Sequence, residues 1–330
     1  MTSQFSLVGR LGADQVESVL GSALLAPSTH NTQPWLFRCT PAGFELHADP
    51  ERALPVVDPD QRELVMSCGA ALFNLRAAIH ALGFHPATTL LPRRGEPNLL
   101  ARVNPLTARP VEARMARLAE AIPLRHTNRL PFTATAVPPS VLATLRSAAE
   151  TEQAWMPSLD TGQRCALLEL VRTAHDIQIA NPAFREEWAQ WTGRDRTTFD
   201  GVPTYADGLA PTASDGWVLR DFAAEGGATQ SATPPAPEPM VIVIGSIHDE
   251  RIDRLRAGQT MQRVLLTATA AGLHASFISQ PVEVPHIRAE LRQLLGGGLW
   301  PQIVLRVGYG TTVPPTPRRP LADVLLHDGD

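Results

Sequence analysis

The sequence contains no lysine; all 29 basic residues are arginine. That excludes a Schiff-base lysine, a P-loop lysine and a Ser-Lys catalytic dyad. Any anion held by charge must be held by guanidinium groups, which favour bidentate contacts with phosphate. Cysteine is scarce as well: Cys39, Cys68 and Cys165 stand far apart with no CxxC pair. They read as buried thiols, neither disulfides nor zinc ligands. No His-x-x-x-His or His-Glu-x-x-His occurs, so a metal site is unsupported. There is no Gly-x-Ser-x-Gly nucleophile elbow. A net charge of -4 gives no nucleic-acid footprint. No apolar run approaches the length that spans a bilayer, so no membrane partner is expected. Met1 to Arg10 lacks the apolar block of a signal peptide, which makes the cytoplasm the expected compartment.

What is present reads as an α+β chain with a repeat inside it. With 330 residues, 44% of them hydrophobic, it can bury a sizeable core. Phe44-Glu45-Leu46-His47-Ala48 alternates as a strand closed by Asp49-Pro50. Residues 64–82 read as a helix, with Leu64, Cys68, Leu72, Leu75, Ile79 and Leu82 at three- and four-residue steps and Gly83 as the stop. Residues 99–103 are a second strand candidate. The same order returns later, as a buried strand at 240–244, a helix at 258–271 ending at Gly272, and a strand at 303–307. The helices align without gaps from Gly69 to Gly83 and from Gly258 to Gly272. Gly83-Phe84-His85 then matches Gly272-Leu273-His274, and Leu100-Ala101-Arg102-Val103 matches Leu305-Arg306-Val307 after one deletion. Two tandem divergent copies of one unit are expected, residues 1–118 and 119–330. Packing the copies through their helices would bury both apolar stripes. The alternative is that each helix simply covers its own sheet.

Between the copies, residues 188–239 are rich in chain breakers, ending in Ala232-Thr233-Pro234-Pro235-Ala236-Pro237-Glu238-Pro239. Trp188, Trp191, Phe199, Tyr205, Trp217 and Phe222 are a heavy aromatic load for a linker. A lid over a pocket is expected, with a disordered linker as the alternative. Upstream, Ala26-Pro27-Ser28-Thr29-His30-Asn31-Thr32-Gln33-Pro34-Trp35 sets six hydrogen-bonding side chains between two prolines, then a Trp that needs an apolar seat. A rigid loop dense in uncharged donors and acceptors suits the edge of a flat heteroaromatic ring such as a flavin. The same residues would also serve a capped turn anchored by Trp35. Gly308-Tyr309-Gly310 lacks the third glycine of a dinucleotide motif, and Pro314-Pro315 forbids the helix that should follow.

The 26–35 stretch resembles the Ala-Pro-Ser-x-x-Asn-x-Gln-Pro-Trp signature of the FMN-dependent nitroreductase superfamily, and its wording looks most like the mycobacterial Acg-type branch. The resemblance covers nearly the whole chain outside the middle insertion. It implies a nitroreductase-like fold with FMN as cofactor. Superfamily members are intertwined homodimers with flavin at the subunit interface, so this chain resembles such a dimer fused into one polypeptide, an intramolecular pseudo-dimer around paired interface helices. Pro27, Ser28, Thr29, His30, Asn31 and Gln33 would then face the flavin. Arg125-His126-Thr127-Asn128-Arg129-Leu130-Pro131-Phe132 resembles the family's Arg-x-Ser/Thr-x-Arg-x-x-Phe segment, which assigns Arg125, Thr127, Asn128 and Arg129 to the FMN phosphate. Pro317-Arg318-Arg319-Pro320-Leu321 resembles the closing motif, whose basic pair, here Arg318 and Arg319, meets the same phosphate. Ser279 and Gln280 match the segment flanking the pyrimidine edge. The ring loop lies in the first copy and the phosphate arginines in the second, with no second matching pair. One FMN per chain is therefore expected, in a chain that is a monomer.

The resemblance implies ping-pong chemistry, in which NAD(P)H gives hydride to flavin N5 and a nitroaromatic or quinone-type acceptor then takes its place. Such enzymes need no dedicated acid, and no acid–base dyad stands out in the sequence. His30 could hydrogen-bond or protonate an acceptor, although a lone loop histidine also serves as a structural hydrogen-bonder. The Acg-type branch, with its covered site, implies an alternative: an FMN-sequestering protein whose lid prevents turnover.

Overall fold

A computed structural model describes residues 7–195, 197–206, 208, 217 and 239–327. The chain runs α1 (Ala13–Leu24), β1 (Trp35–Cys39), β2 (Phe44–Ala48), α2 (Arg62–Ala81), β3 (Phe84–Leu90) and β4 (Leu99–Ala108). It continues with α3 (Ala113–Ala121), α4 (Pro139–Thr151), α5 (Thr161–Ala180) and α6 (Pro182–Trp191). Then come β5 (Met240–Ser246), α7 (Arg251–Ala270), β6 (His274–Phe277), α8 (Gln280–Glu283), α9 (Pro285–Leu294) and β7 (Trp300–Gly308). The fold is α+β.

Two antiparallel sheets form, one ordered β1-β2-β4-β3 and the other β5-β7-β6. The run β2-α2-β3-β4 and the run β5-α7-β6-β7 share the same strand neighbours and the same order of strands and long helix, the second carrying α8 and α9 between its last two strands. β3 escapes a period-two reading because Pro86 interrupts it; Pro86 pairs with Pro105 at a register shift, where neither ladder needs the missing N–H. The C-terminal tail crosses back to the first sheet, where the Leu326 N–H donates to the Phe37 carbonyl at 2.8 Å.

Helices α2 and α7 lie between the sheets in one shared apolar core that includes Val65, Leu72, Met261, Val264 and Ile303. They meet at the two glycines that align in sequence. A Cβ on Gly258 would stand 2.0 Å from the Met66 carbonyl oxygen, and one on Gly69 would stand 2.3 Å from that of Leu255. Only glycine permits this approach, because backbone cannot swing aside as a side chain can. The interface is pinned by polar pairs: Gln262 Nε2 donates to Asn74 Oδ1 at 2.7 Å, and Arg76 to Gln259 Oε1 at 2.6 Å.

Helix α2 begins at Arg62, earlier than its apolar period, because the buried Asp58 carboxylate accepts the Glu63 and Leu64 N–H groups at 3.0 and 2.8 Å. Two expectations are corrected here. By length and composition α2 is apolar enough to cross a bilayer, the one such helix among the described residues, but most of it is buried inside the protein. Of the three thiols only Cys68 is buried; Cys39 is half-buried and Cys165 is exposed.

The part of the 188–239 segment that is described packs on the body. Phe184, Trp188 and Trp191 cluster with Leu54, Val56 and Val57. Phe222 and residues 232–238 lie outside the described residues.

Candidate functional site

The 26–35 loop leaves α1 and is held in a strained form. His30, Asn31 and Gln33 all take positive φ, at 49°, 56° and 52°. Trp35 is fully buried and seats the loop in the core. Ser28 Oγ accepts the Gln33 N–H at 2.9 Å, the Cys68 thiol donates to the Pro34 carbonyl at 3.0 Å, and Thr29 Oγ1 donates to Glu63 Oε2 at 2.9 Å. The loop is thereby tied to the first turn of α2.

A cavity opens where the loop, the paired helices and the second sheet meet. Pro27, Ser28, Thr29 and His30 line it from the loop, Thr127 and Arg129 from the segment after α3, and Ser279 and Gln280 from the turn after β6. Thr127 is brought there by a parallel bridge to Ala275, with the Asn128 N–H donating to the Ala275 carbonyl at 2.9 Å. Met66, Met261, Val282, Ile303 and Trp217 supply apolar wall. Such a lining, mostly apolar with a few convergent uncharged donors and acceptors, is what a flat heteroaromatic ligand needs.

The remaining residues singled out in the sequence lie outside this lining. Asn31 is buried and donates to the carbonyls of Gly201 at 2.9 Å and Pro317 at 3.1 Å. Gln33 Nε2 donates to the Phe199 carbonyl at 2.8 Å, and its Oε1 accepts the Arg319 N–H at 2.8 Å. Arg319 also meets Asp49 Oδ2 at 3.2 Å. Arg318 caps the C-terminus of α1, donating to the carbonyls of Leu24 at 2.8 Å and Ala26 at 3.2 Å and to Asn31 Oδ1 at 3.1 Å. Asn128 is fully buried and clips the Thr311 carbonyl at 2.8 Å. These side chains fasten the C-terminal tail and the insertion onto the loop.

Arg125 differs from them. It is buried, and among the described residues its side chain makes one hydrogen bond, a 3.3 Å contact with the Leu25 carbonyl, while its Nε has no partner. Burial and then Arg318 push its pKa down to about 9. His126 is pushed down to about 4 by burial, then by Arg125, Arg318 and His274. Two buried guanidinium groups and two imidazoles thus gather with no carboxylate on Arg125, an arrangement costly in isolation and suited to a multiply charged anion.

Several lining residues went unread in the sequence: Glu63, Ser67, Gln302 and Arg306. Glu63 left one trace, an acidic side chain in the opening turn of a helix whose other faces are nearly all apolar. No group of three His, Cys, Asp or Glu side chains able to hold a metal occurs among the described residues.

The Nitroreductase family profile matches residues 122–309. A candidate NAD(P)H nitroreductase of Mycobacterium tuberculosis strain H37Rv is 34% identical over 323 residues, covering 95% of this chain and 91% of that protein. Acg, a second candidate NAD(P)H nitroreductase of that strain, is 29% identical over 319 residues, covering 94% of this chain and 95% of its own. Among solved structures, a nitroreductase with bound FMN from Bacteroides fragilis aligns with a TM-score of 0.36 and 14% identity, over 64% of this chain and 95% of that one.

Proposed function

Because the chain belongs to the nitroreductase family, we propose that it is an FMN-binding flavoprotein that takes hydride from NAD(P)H and passes it to electron-poor acceptors of the nitroaromatic or quinone class. The observation carrying this reading is a cavity walled by the 26–35 loop on one side and by Thr127, Arg129, Ser279 and Gln280 on the other. The residues fit the cofactor. Ser28, Thr29, Ser279 and Gln280 offer hydrogen bonds to a ring edge, Met66 and Met261 offer apolar wall, Arg129 on the wall offers charge to a phosphate of about -2, and the buried Arg125, outside the lining but two residues from Thr127, adds a second guanidinium group. Bound flavin supplies the hydride chemistry. The chain's own work is to orient the ring, neutralise the phosphate and exclude water, the last through Trp217 and Val282.

In this reading residues 1–118 and 119–330 are divergent copies forming a pseudo-dimer, supported by the matching strand neighbours and the crossing at Gly69 and Gly258. The site combines one half of each copy, so each chain holds one FMN and works as a monomer in the cytoplasm.

A second reading, flavin sequestration, is favoured by the way Glu187, Phe199, Asp200 and Gly201 dock. Glu187 accepts the N–H groups of Val56 and Val57 at 3.0 and 2.8 Å, Asp200 pairs with Arg52 at 2.8 Å, and the Gly201 and Phe199 carbonyls tie to the ring loop. Anaerobic mixing of the FMN-loaded protein with NADH or NADPH separates the two. Bleaching of the visible flavin band is expected for the oxidoreductase. A band unchanged under excess nicotinamide, yet bleached by dithionite, would support sequestration. Protein that takes up no FMN would overturn both.

A further inference from the structure

Among the groups lining the cavity, one is a carboxyl that the chemistry described so far leaves unused. Glu63 is 5% exposed. Its Oε1 meets Arg62 Nη2 at 2.8 Å and its Oε2 accepts Thr29 Oγ1 at 2.9 Å. Arg62 is itself shared with the carbonyls of Gln302 at 2.7 Å and Val282 at 3.1 Å, so its charge is spread over several acceptors. The charged and titratable groups that bear on Glu63 are Arg62 on α2, Asp58 in the turn before it and Glu283 on α8, with His30, Arg129 and Arg306 elsewhere on the cavity wall.

We propose that Glu63 is the proton donor of the cavity, delivering its carboxyl proton to a quinone-class acceptor as that acceptor is reduced. The inference rests on the flavoprotein reading above. In balanced form, a hydride from the reduced flavin brings the quinone two electrons and one hydrogen, leaving a quinol monoanion. The Glu63 O–H bond breaks and a quinol O–H bond forms. The resulting carboxylate is held by Arg62 and Thr29 and regains its proton from water at the cavity mouth. Burial above all, then Glu283 and Asp58, lifts the Glu63 pKa to about 8, while Arg62 and the Thr29 hydrogen bond pull against the rise. The group is therefore protonated at neutral pH and returns readily to that state.

The test compares wild type with Glu63→Gln. Each is loaded with FMN, reduced with dithionite so that nicotinamide access plays no part, and mixed anaerobically with 1,4-benzoquinone or with ferricyanide, which takes an electron and no proton. For E63Q, quinone-driven reoxidation is expected to slow by about 10²-fold, the loss typical of a missing general acid, and to lose its break near pH 8 and its solvent isotope effect. Ferricyanide-driven reoxidation is expected to be unchanged. Independently of activity, an infrared pH titration of the FMN-free protein is expected to show a protonated carboxyl band at pH 7 that disappears around pH 8 and is missing in E63Q. Equal slowing with both acceptors, a wild-type quinone profile in E63Q, or no protonated carboxyl at pH 7 would overturn the proposal while leaving FMN binding intact. Failure of wild-type protein to take up FMN, read from its colour before any acceptor is added, would overturn the flavoprotein reading and this one with it. Should E63Q not fold, Thr29→Val keeps the carboxyl and removes its donor, and is expected to move the pH break upward; an unmoved break would count against the assignment.

Discussion

At the scale of single residues, two buried charges govern how the protein answers to pH and to its cofactor. Glu63 holds in the folded state a proton that the unfolded chain releases near its ordinary 4.5. Its contribution to stability is therefore complete below that value and is lost as pH rises through about 8. His126 acts in the opposite sense, its folded pKa of about 4 costing stability as pH falls below the ordinary 6.5. Chemical denaturation of the FMN-free protein from pH 5 to 9 is expected to show stability falling as pH rises past the ordinary histidine value of 6.5, where the offset from His126 ends, and levelling off above about 8, a fall that Glu63→Gln abolishes. A decline of equal slope in the variant would refute the assignment. Arg125 carries the complementary expectation. With no carboxylate partner, its burial costs stability until an anion arrives. Arg125→Met is thus expected to raise the melting temperature of the FMN-free protein while weakening FMN binding by at least about tenfold, or 1.4 kcal/mol. A loss of both would mark Arg125 as structural. The sequence discloses Arg125 through its motif. It does not disclose what Asn31, Gln33, Arg318 and Arg319 bind, because a donor's partner is set by tertiary placement: the same amide that suits a ring edge also suits the carbonyls of Gly201 and Pro317. Glu63 stays hidden for a related reason, since an acid in a helix's first turn usually complements the helix dipole in water.

At the scale of elements, the crossing of α2 over α7 is the most constrained contact. Gly258→Ala would set a methyl 2.0 Å from a carbonyl oxygen, and Gly69→Ala 2.3 Å from another. Each is expected to cost about 1–3 kcal/mol, read as a lower denaturation midpoint at unchanged slope. A neutral effect would mean the helices cross elsewhere. The insertion invites a second measurement. Glu187→Ala removes the acceptor of two backbone N–H groups and is expected to cost its docking about 2 kcal/mol. If the docked segment shields the flavin, NADPH should reduce the variant faster than wild type; an identical rate would release the segment from that role. Helical period and glycine stops make α2 and α7 legible from sequence. β3 is not, since Pro86 breaks its pattern and only its pairing with Pro105 explains its place. Helix α5 is likewise set by contacts with α8 and α9, distant in the chain.

At the scale of the whole molecule, the proposed function makes the chain two half-sites brought together once. The ring loop stands near the start, the cationic cluster draws Arg125 and Arg318 from positions far apart in sequence, and one core joins them. The glycines that align in sequence, Gly69 and Gly258, do mark the helix crossing, yet the cavity beside that crossing depends on a crossing angle that no linear pattern states. The most direct measurement is an equilibrium titration of the FMN-free protein with FMN, with protein concentration fixed by amino-acid analysis. One FMN per chain is expected, and two equivalent sites, or none, would contradict a site assembled once from unlike halves.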